Sequence, residues 1–186
     1  HSDIEIFLKD DSVKFLENYK RDWNITLVDT GINTLTGARL KKLEKYLSHD
    51  RQFMLTYGDG LSNVNIDKLL KFHNINNKIA TVTAVRPPAR FGELYIQNER
   101  VLSFKEKPQL QKGWINGGYF IFQKKIFDYL DINQNFMLEK EPMTKLIDDG
   151  QLNAYKHEDF WQCIDTKRDL ETIQNLTNES KLPWLK

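Results

Sequence analysis

The run Phe53-Met54-Leu55-Thr56-Tyr57 leads straight into Gly58-Asp59-Gly60, and this junction constrains the fold more than any other stretch. Nearly every residue of the run is apolar. Successive strand residues point to opposite faces, so the pattern predicts a central strand covered on both sides. Covering a sheet on both faces requires helices above and below it. The sequence alternates accordingly. Short apolar runs rich in β-branched residues predict strands at 3–8, 24–29, 53–57, 79–85, 94–97, 101–106, 115–122 and 152–156. Helical patterns fall at 37–47, 66–74, 124–130 and 141–149, and from 167 to about 179. In the first of these Leu40, Leu43 and Leu47 recur at helical spacing, while Lys41, Lys42, Glu44 and Lys45 mostly fill the other face. Gly150 stands where a C-terminal capping glycine is expected. Strand, helix, strand, helix up to residue 85 predicts right-handed crossovers and a largely parallel sheet. Residues 91–107 read as a β-hairpin about Asn98-Glu99-Arg100, inserted into that order. A single α/β domain over 1–186 accommodates all of these elements.

Charge sets a limit on partners. With 27 basic and 26 acidic residues the net charge is +1, which offers no broad surface for nucleic acid or membrane. An anionic ligand must then be held by a local site. No apolar run approaches the roughly 20 residues that span a bilayer. Cys163 is the single cysteine, so no intramolecular disulfide forms, and a cytoplasmic setting is expected. His49, His73 and His157 lack ligand spacing, and no Cys/His cluster points to zinc. Trp23, Trp114, Trp161 and Trp184 read as packing residues.

Ligands of open parallel sheets bind beyond the carboxyl ends of the strands. Asp59 lies there, between two glycines that permit close approach of a ligand to the backbone. A hard carboxylate suits Mg²⁺, which takes few protein oxygens plus substrate phosphates. Asp-Gly is also an ordinary turn pair, so both readings stand. Asp165 in Phe160-Trp161-Gln162-Cys163-Ile164-Asp165-Thr166 is either a second metal carboxylate or, with Thr166, a helix cap. Ser103-Phe104-Lys105-Glu106-Lys107-Pro108 is either a strand with one solvated face or a pair of sugar-phosphate contacts, Glu106 and Lys107. The glycines of Ile115-Asn116-Gly117-Gly118-Tyr119-Phe120 mark either a β-bulge or a ligand. Val28-Asp29-Thr30-Gly31 followed by Leu35-Thr36-Gly37-Ala38-Arg39 has the form of an anion-binding loop opening a helix.

Taken in order, VDTG, TGARLKKLEKYL, TYGDGLSNVNI, the FGEL hairpin, FKEKP, INGGYF, the EP of LEKEPM and FWQCIDTKRDL resemble one family, the sugar-phosphate nucleotidyltransferases. The resemblance runs from Ser2 to Trp184, and TYGDG favours the cytidylyl branch acting on glucose 1-phosphate. It implies a Rossmann-like α/β fold with a mixed, mostly parallel sheet and a β-hairpin insertion. It further implies Mg²⁺-dependent transfer of CMP from CTP to glucose 1-phosphate, with CDP-glucose and pyrophosphate as products, and an assembly of identical subunits. The downstream products would be CDP-linked deoxysugars for O-antigen and lipopolysaccharide. By motif, Asp59 and Asp165 would hold the metal, and Thr34, Arg39 and Gly58 would lie on the nucleotide with Thr30 shaping that loop. Glu106 would bind sugar hydroxyls, Lys107 the phosphate, and Asn116 with Gly92 the glucose. Relatives open on a strand and a G-G-x-G-T-R loop followed by a lysine. Neither occurs here, so the resemblance implies that the first βαβ and the phosphate cradle are missing, that an apolar sheet edge is exposed, and that this chain alone is inactive.

Overall fold

In the computed structural model the described residues are 4–7, 9, 12–15, 24–87, 93–105 and 113–185. In chain order they form β1 (Ile4–Phe7), β2 (Ser12–Phe15), α1 (Thr36–Lys42), α2 (Glu44–Leu47), β3 (Gln52–Thr56), β4 (Gly60–Ser62), α3 (Ile66–Asn76), β5 (Ala80–Val85), β6 (Glu93–Gln97), β7 (Arg100–Lys105), β8 (Ile115–Gln123), α4 (Glu141–Asp148), β9 (Leu152–His157), β10 (Trp161–Cys163) and α5 (Lys167–Asn178). Lys124–Tyr129, expected as an α-helix, is a 3-10 helix, and the helix expected over 37–47 divides at Leu43. Among the described residues no helix is long and apolar enough to cross a membrane.

The main sheet has the order β3-β8-β5-β9. β8 runs antiparallel to both β3 and β5, and β5 runs parallel to β9. Thus β3, β5 and β9 share one direction with β8 inverted among them. The sheet is mixed as expected, but two of its three ladders are antiparallel where a mostly parallel sheet was predicted, because β8 inserts between β3 and β5. The β6–β7 hairpin forms as predicted. Alternation along the strands separates two cores. Ala80, Phe120 and Phe122 pack with Leu40, Ile126, Phe127 and Leu146 on one face. On the other, buried His73 of α3 meets Thr81 (Nδ1 to Oγ1 2.8 Å), and Phe72 packs edge-on to Tyr155. The sheet is therefore a middle layer between helices.

Two expectations need correction. Residues 24–29 form no strand: Ile25 is 73% exposed and Leu27 92%, because no described strand pairs with them. β3 is not central among the described residues but an edge of the four-stranded sheet, with Phe53 and Leu55 on the core and Met54 48% exposed. Its two apolar faces gave the right element, but one face lacks cover among the described residues.

Candidate active site

Two three-residue strands organise the carboxyl edge of the sheet: β10, the strand expected to lead to Asp165, with Cys163 only partly buried rather than in the core, and β4, which the sequence pattern missed. They pair antiparallel, with Trp161 opposite Ser62, Gln162 opposite Leu61 and Cys163 opposite Gly60. The ladder is extended by the Ile164 amide, which donates to the carbonyl of Asp59 at 2.8 Å. Asp59 therefore stands opposite the residue that precedes Asp165, and the two carboxylates, 106 positions apart in sequence, come from adjoining backbone. Both residues are exposed. The Cys163 thiol donates to Asp165 Oδ2 at 3.3 Å. Burial, then the Asp165 carboxylate, push that thiol up to about 11, so Cys163 stays protonated and is no nucleophile. The cap of α5 is Thr166 rather than Asp165: Thr166 Oγ1 accepts from the Asp169 amide while Asp169 Oδ2 accepts from the Thr166 amide.

Aromatic donors hold this frame to the sheet. Trp161 Nε1 donates to Gly117 O and the Tyr119 hydroxyl to Gly60 O, both at 2.8 Å. The Gly117-Gly118 pair sits where the β5–β8 register shifts, between Val82 opposite Phe120 and Ala84 opposite Asn116. A Cβ on Gly117 would lie 2.7 Å from Val85 Cγ1 and 3.0 Å from Thr83 O, and Gly118 has φ +78°. The bulge reading thus holds for both glycines. At Gly58, by contrast, a Cβ would meet no atom within 4 Å.

Tyr57, just past β3, carries the next layer. Its hydroxyl donates to Glu139 Oε1, and Asn116 hydrogen-bonds the same phenol. Burial, then the Glu139 carboxylate, raise the phenol above its ordinary range, so it stays a donor. Glu139 Oε2 accepts from Thr36 Oγ1 at 2.8 Å, at the opening of α1. Asn116 Oδ1 itself accepts from the Gly118 amide at 2.8 Å.

Thr30, Thr34 and Arg39 converge as expected. Arg39 Nη1 donates to Thr30 Oγ1 (2.5 Å) and Nη2 to Ile32 O (3.2 Å). Lys42, one turn on, donates to Thr30 O (2.8 Å) and Thr34 Oγ1 (3.2 Å). The amides that open α1, however, are already paired. Gly37 and Ala38 donate to Phe136 O, and a Cβ on Gly37 would collide with the Phe136 ring. An anion here would be held by side chains, not by the helix terminus. Arg86 and Lys156 flank the Trp114 ring at 4.4 and 5.6 Å at the carboxyl ends of β5 and β9. Gly92, Glu106 and Lys107 lie outside the described residues.

Sequence reading missed Tyr57, Glu139, Lys42, Arg86 and Lys156. Lys42 alone carried a signal, three positions after Arg39 on one helix. For a metal, two exposed carboxylates on adjoining backbone match Mg²⁺, which completes its shell with phosphate and water oxygens. Among the described residues no group of three or more His, Cys, Asp or Glu forms a fuller protein cage. Among the described residues one open concavity borders Thr34, Lys41 and Lys42, and another lies at the opposite end of the sheet beside Ile79, Lys125 and Tyr129.

The nucleotidyl transferase family profile matches residues 11–180. Glucose-1-phosphate cytidylyltransferases of Salmonella typhi and Salmonella typhimurium are each 39% identical over 183 residues, covering 98% of this chain. The chain spans 71% of the length of those two relatives. The solved structure of the inositol-1-phosphate CTP transferase from T. maritima shares the fold at a TM-score of 0.53 and 18% identity, over 80% of this chain and 62% of that one. With the fold, the edge and the sequence likeness in agreement, the chain belongs to the nucleotidyl transferase family.

Proposed function

We propose that the protein transfers CMP from CTP to glucose 1-phosphate, giving CDP-glucose and pyrophosphate, with Mg²⁺ held by Asp59 and Asp165. The observation that carries this reading is the β4–β10 ladder, which joins the backbone of the two aspartates at the carboxyl edge. The 39% identity to glucose-1-phosphate cytidylyltransferases supports the choice of nucleotide and sugar. In the reaction a phosphate oxygen of glucose 1-phosphate attacks the α-phosphorus of CTP. The bond from that phosphorus to the bridging oxygen breaks, and pyrophosphate leaves with its electron pair, so no covalent enzyme intermediate is required.

Rate in such a displacement comes from positioning and charge neutralisation. When bound, Mg²⁺ supplies positive charge to the phosphate oxygens. Asp59 and Asp165 offer it hard anionic oxygens. Arg39, steadied by Thr30, presents a guanidinium to the nucleotide, with Thr34 beside it. Gly58 leaves room for the nucleotide against the backbone. Asn116 and Gly92 orient the glucose, Glu106 accepts from its hydroxyls, and Lys107 donates to its phosphate. Arg86 and Lys156 add cationic charge at the same edge. The same reading makes the protein a cytoplasmic homo-oligomer whose product feeds CDP-linked deoxysugars for surface polysaccharide.

Pyrophosphate release by the intact protein with CTP, glucose 1-phosphate and Mg²⁺ tests the reading, with UTP and dTTP as competitors. Turnover that follows CTP supports it. A UTP preference overturns the cytidylyl assignment, and no turnover with any of the three overturns the transfer itself.

A further inference from the structure

The segment Leu138-Glu139-Lys140-Glu141-Pro142 has no part in the chemistry just described, yet its first carboxylate lies inside the site. Glu139 is half-buried and receives hydroxyls on both oxygens. Oε1 takes the Tyr57 phenol, from the residue directly before Gly58-Asp59. Oε2 takes Thr36 Oγ1 at 2.8 Å, from the residue two after Thr34 and three before Arg39. Thr36 is fixed in turn, because its Oγ1 accepts from the Leu138 amide at 2.9 Å. The Tyr57 phenol also meets Asn116. One carboxylate thus joins three pieces of chain that carry the metal, nucleotide and sugar contacts.

The chemistry of the donor set favours a carboxylate at this position. Two hydroxyls donate to it, and an ionised carboxylate is acceptor-only, able to take both at charge-assisted strength. An amide offers one carbonyl oxygen and one NH₂, so one of the two donors would face a donor. A hydrocarbon would leave both hydroxyls to find other partners in a half-buried place.

We propose that Glu139 is a positioning residue: by gripping Tyr57 and Thr36 together it holds the Asp59 strand end and the Arg39 helix in the mutual placement that Mg²⁺-nucleotide binding requires. This rests on the proposed function for its ligand, and it adds a residue set not in contact with that ligand. Tyr57 is the arm toward the metal and Asn116. Thr36 is the arm toward Thr34 and Arg39.

The test uses the intact protein and its Glu139→Gln, Tyr57→Phe, Thr36→Val and Thr36→Ser variants, with the Glu139→Gln/Tyr57→Phe double variant. Calorimetric binding of Mg²⁺ with CTP, steady-state pyrophosphate release and thermal melting are read on each. Outer-shell partners of metal sites typically contribute 10- to 100-fold, so Glu139→Gln is expected to weaken Mg²⁺-CTP binding by about tenfold. Tyr57→Phe should match it, the double variant should be little worse than either single, and melting should hardly move. Thr36→Ser should behave as wild type and Thr36→Val should not. Wild-type binding in Glu139→Gln, fully additive losses, or a binding loss that merely follows a lowered melting temperature would each overturn the inference. If the wild type binds Mg²⁺-CTP without turning over glucose 1-phosphate, the proposed reaction fails while the binding series still decides Glu139. If it binds no Mg²⁺-CTP at all, both fail.

Discussion

The two ends of the sheet use polar groups differently. At the amino ends of β5 and β9 the surface has a concavity beside Ile79, Lys125, Tyr129, Lys145 and Asp149. Two contacts there run side chain to side chain: the Tyr129 hydroxyl donates to Asp149 Oδ2 at 2.7 Å, and Lys145 pairs with Glu141 at 2.8 Å. At the carboxyl ends, beside the side-chain contacts of Glu139, a set of bonds runs to backbone carbonyls. Ile164 N reaches Asp59 O, Tyr119 reaches Gly60 O, and Trp161 reaches Gly117 O, each at 2.8 Å. Side chains and amides there fix the main chain, and the aspartate carboxylates stand on that frame. Exposed carboxylates held on such a hydrogen-bonded frame suit a cation. A concavity also borders Thr34 and Lys42, so concavity by itself does not separate the two ends.

The largest expected effect separates the ends by activity. Asp59→Ala should lower pyrophosphate release about 10²- to 10³-fold, the scale of losing one electrostatic group in a preorganised site. Asp149→Ala, at the amino end, should leave the rate within about twofold, in line with a surface change away from the site. Equal losses at both positions would erase the distinction drawn between them. The next effect concerns the frame itself. Gly117→Ala puts a methyl group 2.7 Å from Val85 Cγ1 and 3.0 Å from Thr83 O, and such overpacking costs about 1–3 kcal/mol in denaturant unfolding. Gly58→Ala meets nothing within 4 Å and should change stability by less than about 0.5 kcal/mol, yet raise the KM for CTP. If Gly58→Ala unfolds the protein and Gly117→Ala does not, the assignment of one glycine to packing and the other to ligand access is reversed.

Why the sequence disclosed one part of this and hid another follows from range. Periodicity reports neighbours at i+2 or i+4, so β5, β8, β9 and the α3 face were legible from Ala80–Val85, Ile115–Gln123, Leu152–His157 and Leu69. It also supplied Asp59 and Asp165 as separate candidates. The family resemblance paired them, but periodicity could not, because Gly60–Ser62, the strand that meets Trp161–Cys163, is too short and too mixed in polarity to read as one. Tyr57 and Glu139 were invisible for a similar reason: 82 positions separate them, and neither stands in a ligand spacing. The converse error is residues 24–29, where Ile25, Leu27 and Val28 favour a strand but among the described residues none pairs with it. Strand propensity needs a partner before it becomes a strand.

His73 offers a third, smaller contrast, a buried titratable group near the amino end that serves the fold alone. Its Nδ1 lies 2.8 Å from Thr81 Oγ1, and its Nε2 has no hydrogen-bond partner among the described residues. Burial holds its pKa below 6.5, so the folded protein keeps it neutral. The unfolded chain takes up the proton first. The stability contributed by neutral His73 is therefore fully present above about pH 6.5 and is lost as pH falls through and below that value. Melting temperature should decline between pH 7 and pH 5, and His73→Asn should flatten that decline while leaving the pH dependence of Mg²⁺-CTP binding as it was. A steeper decline in the variant would show that another group governs acid stability.

The smallest effect belongs to the engaged surface of the amino end. Tyr129→Phe removes the hydroxyl that donates to Asp149 and keeps the ring packed against the core. Both partners of that bond can turn to water, so the loss in denaturant unfolding should stay within about 0.5 kcal/mol. The hydrogen bond to Asp149 is the first cause of the raised Tyr129 phenol and burial the second, and the bond itself is exposed to solvent. A loss well above 1 kcal/mol would mean the amino end is also a stiff frame, and the difference between the two ends would then lie in their ligands rather than in their construction.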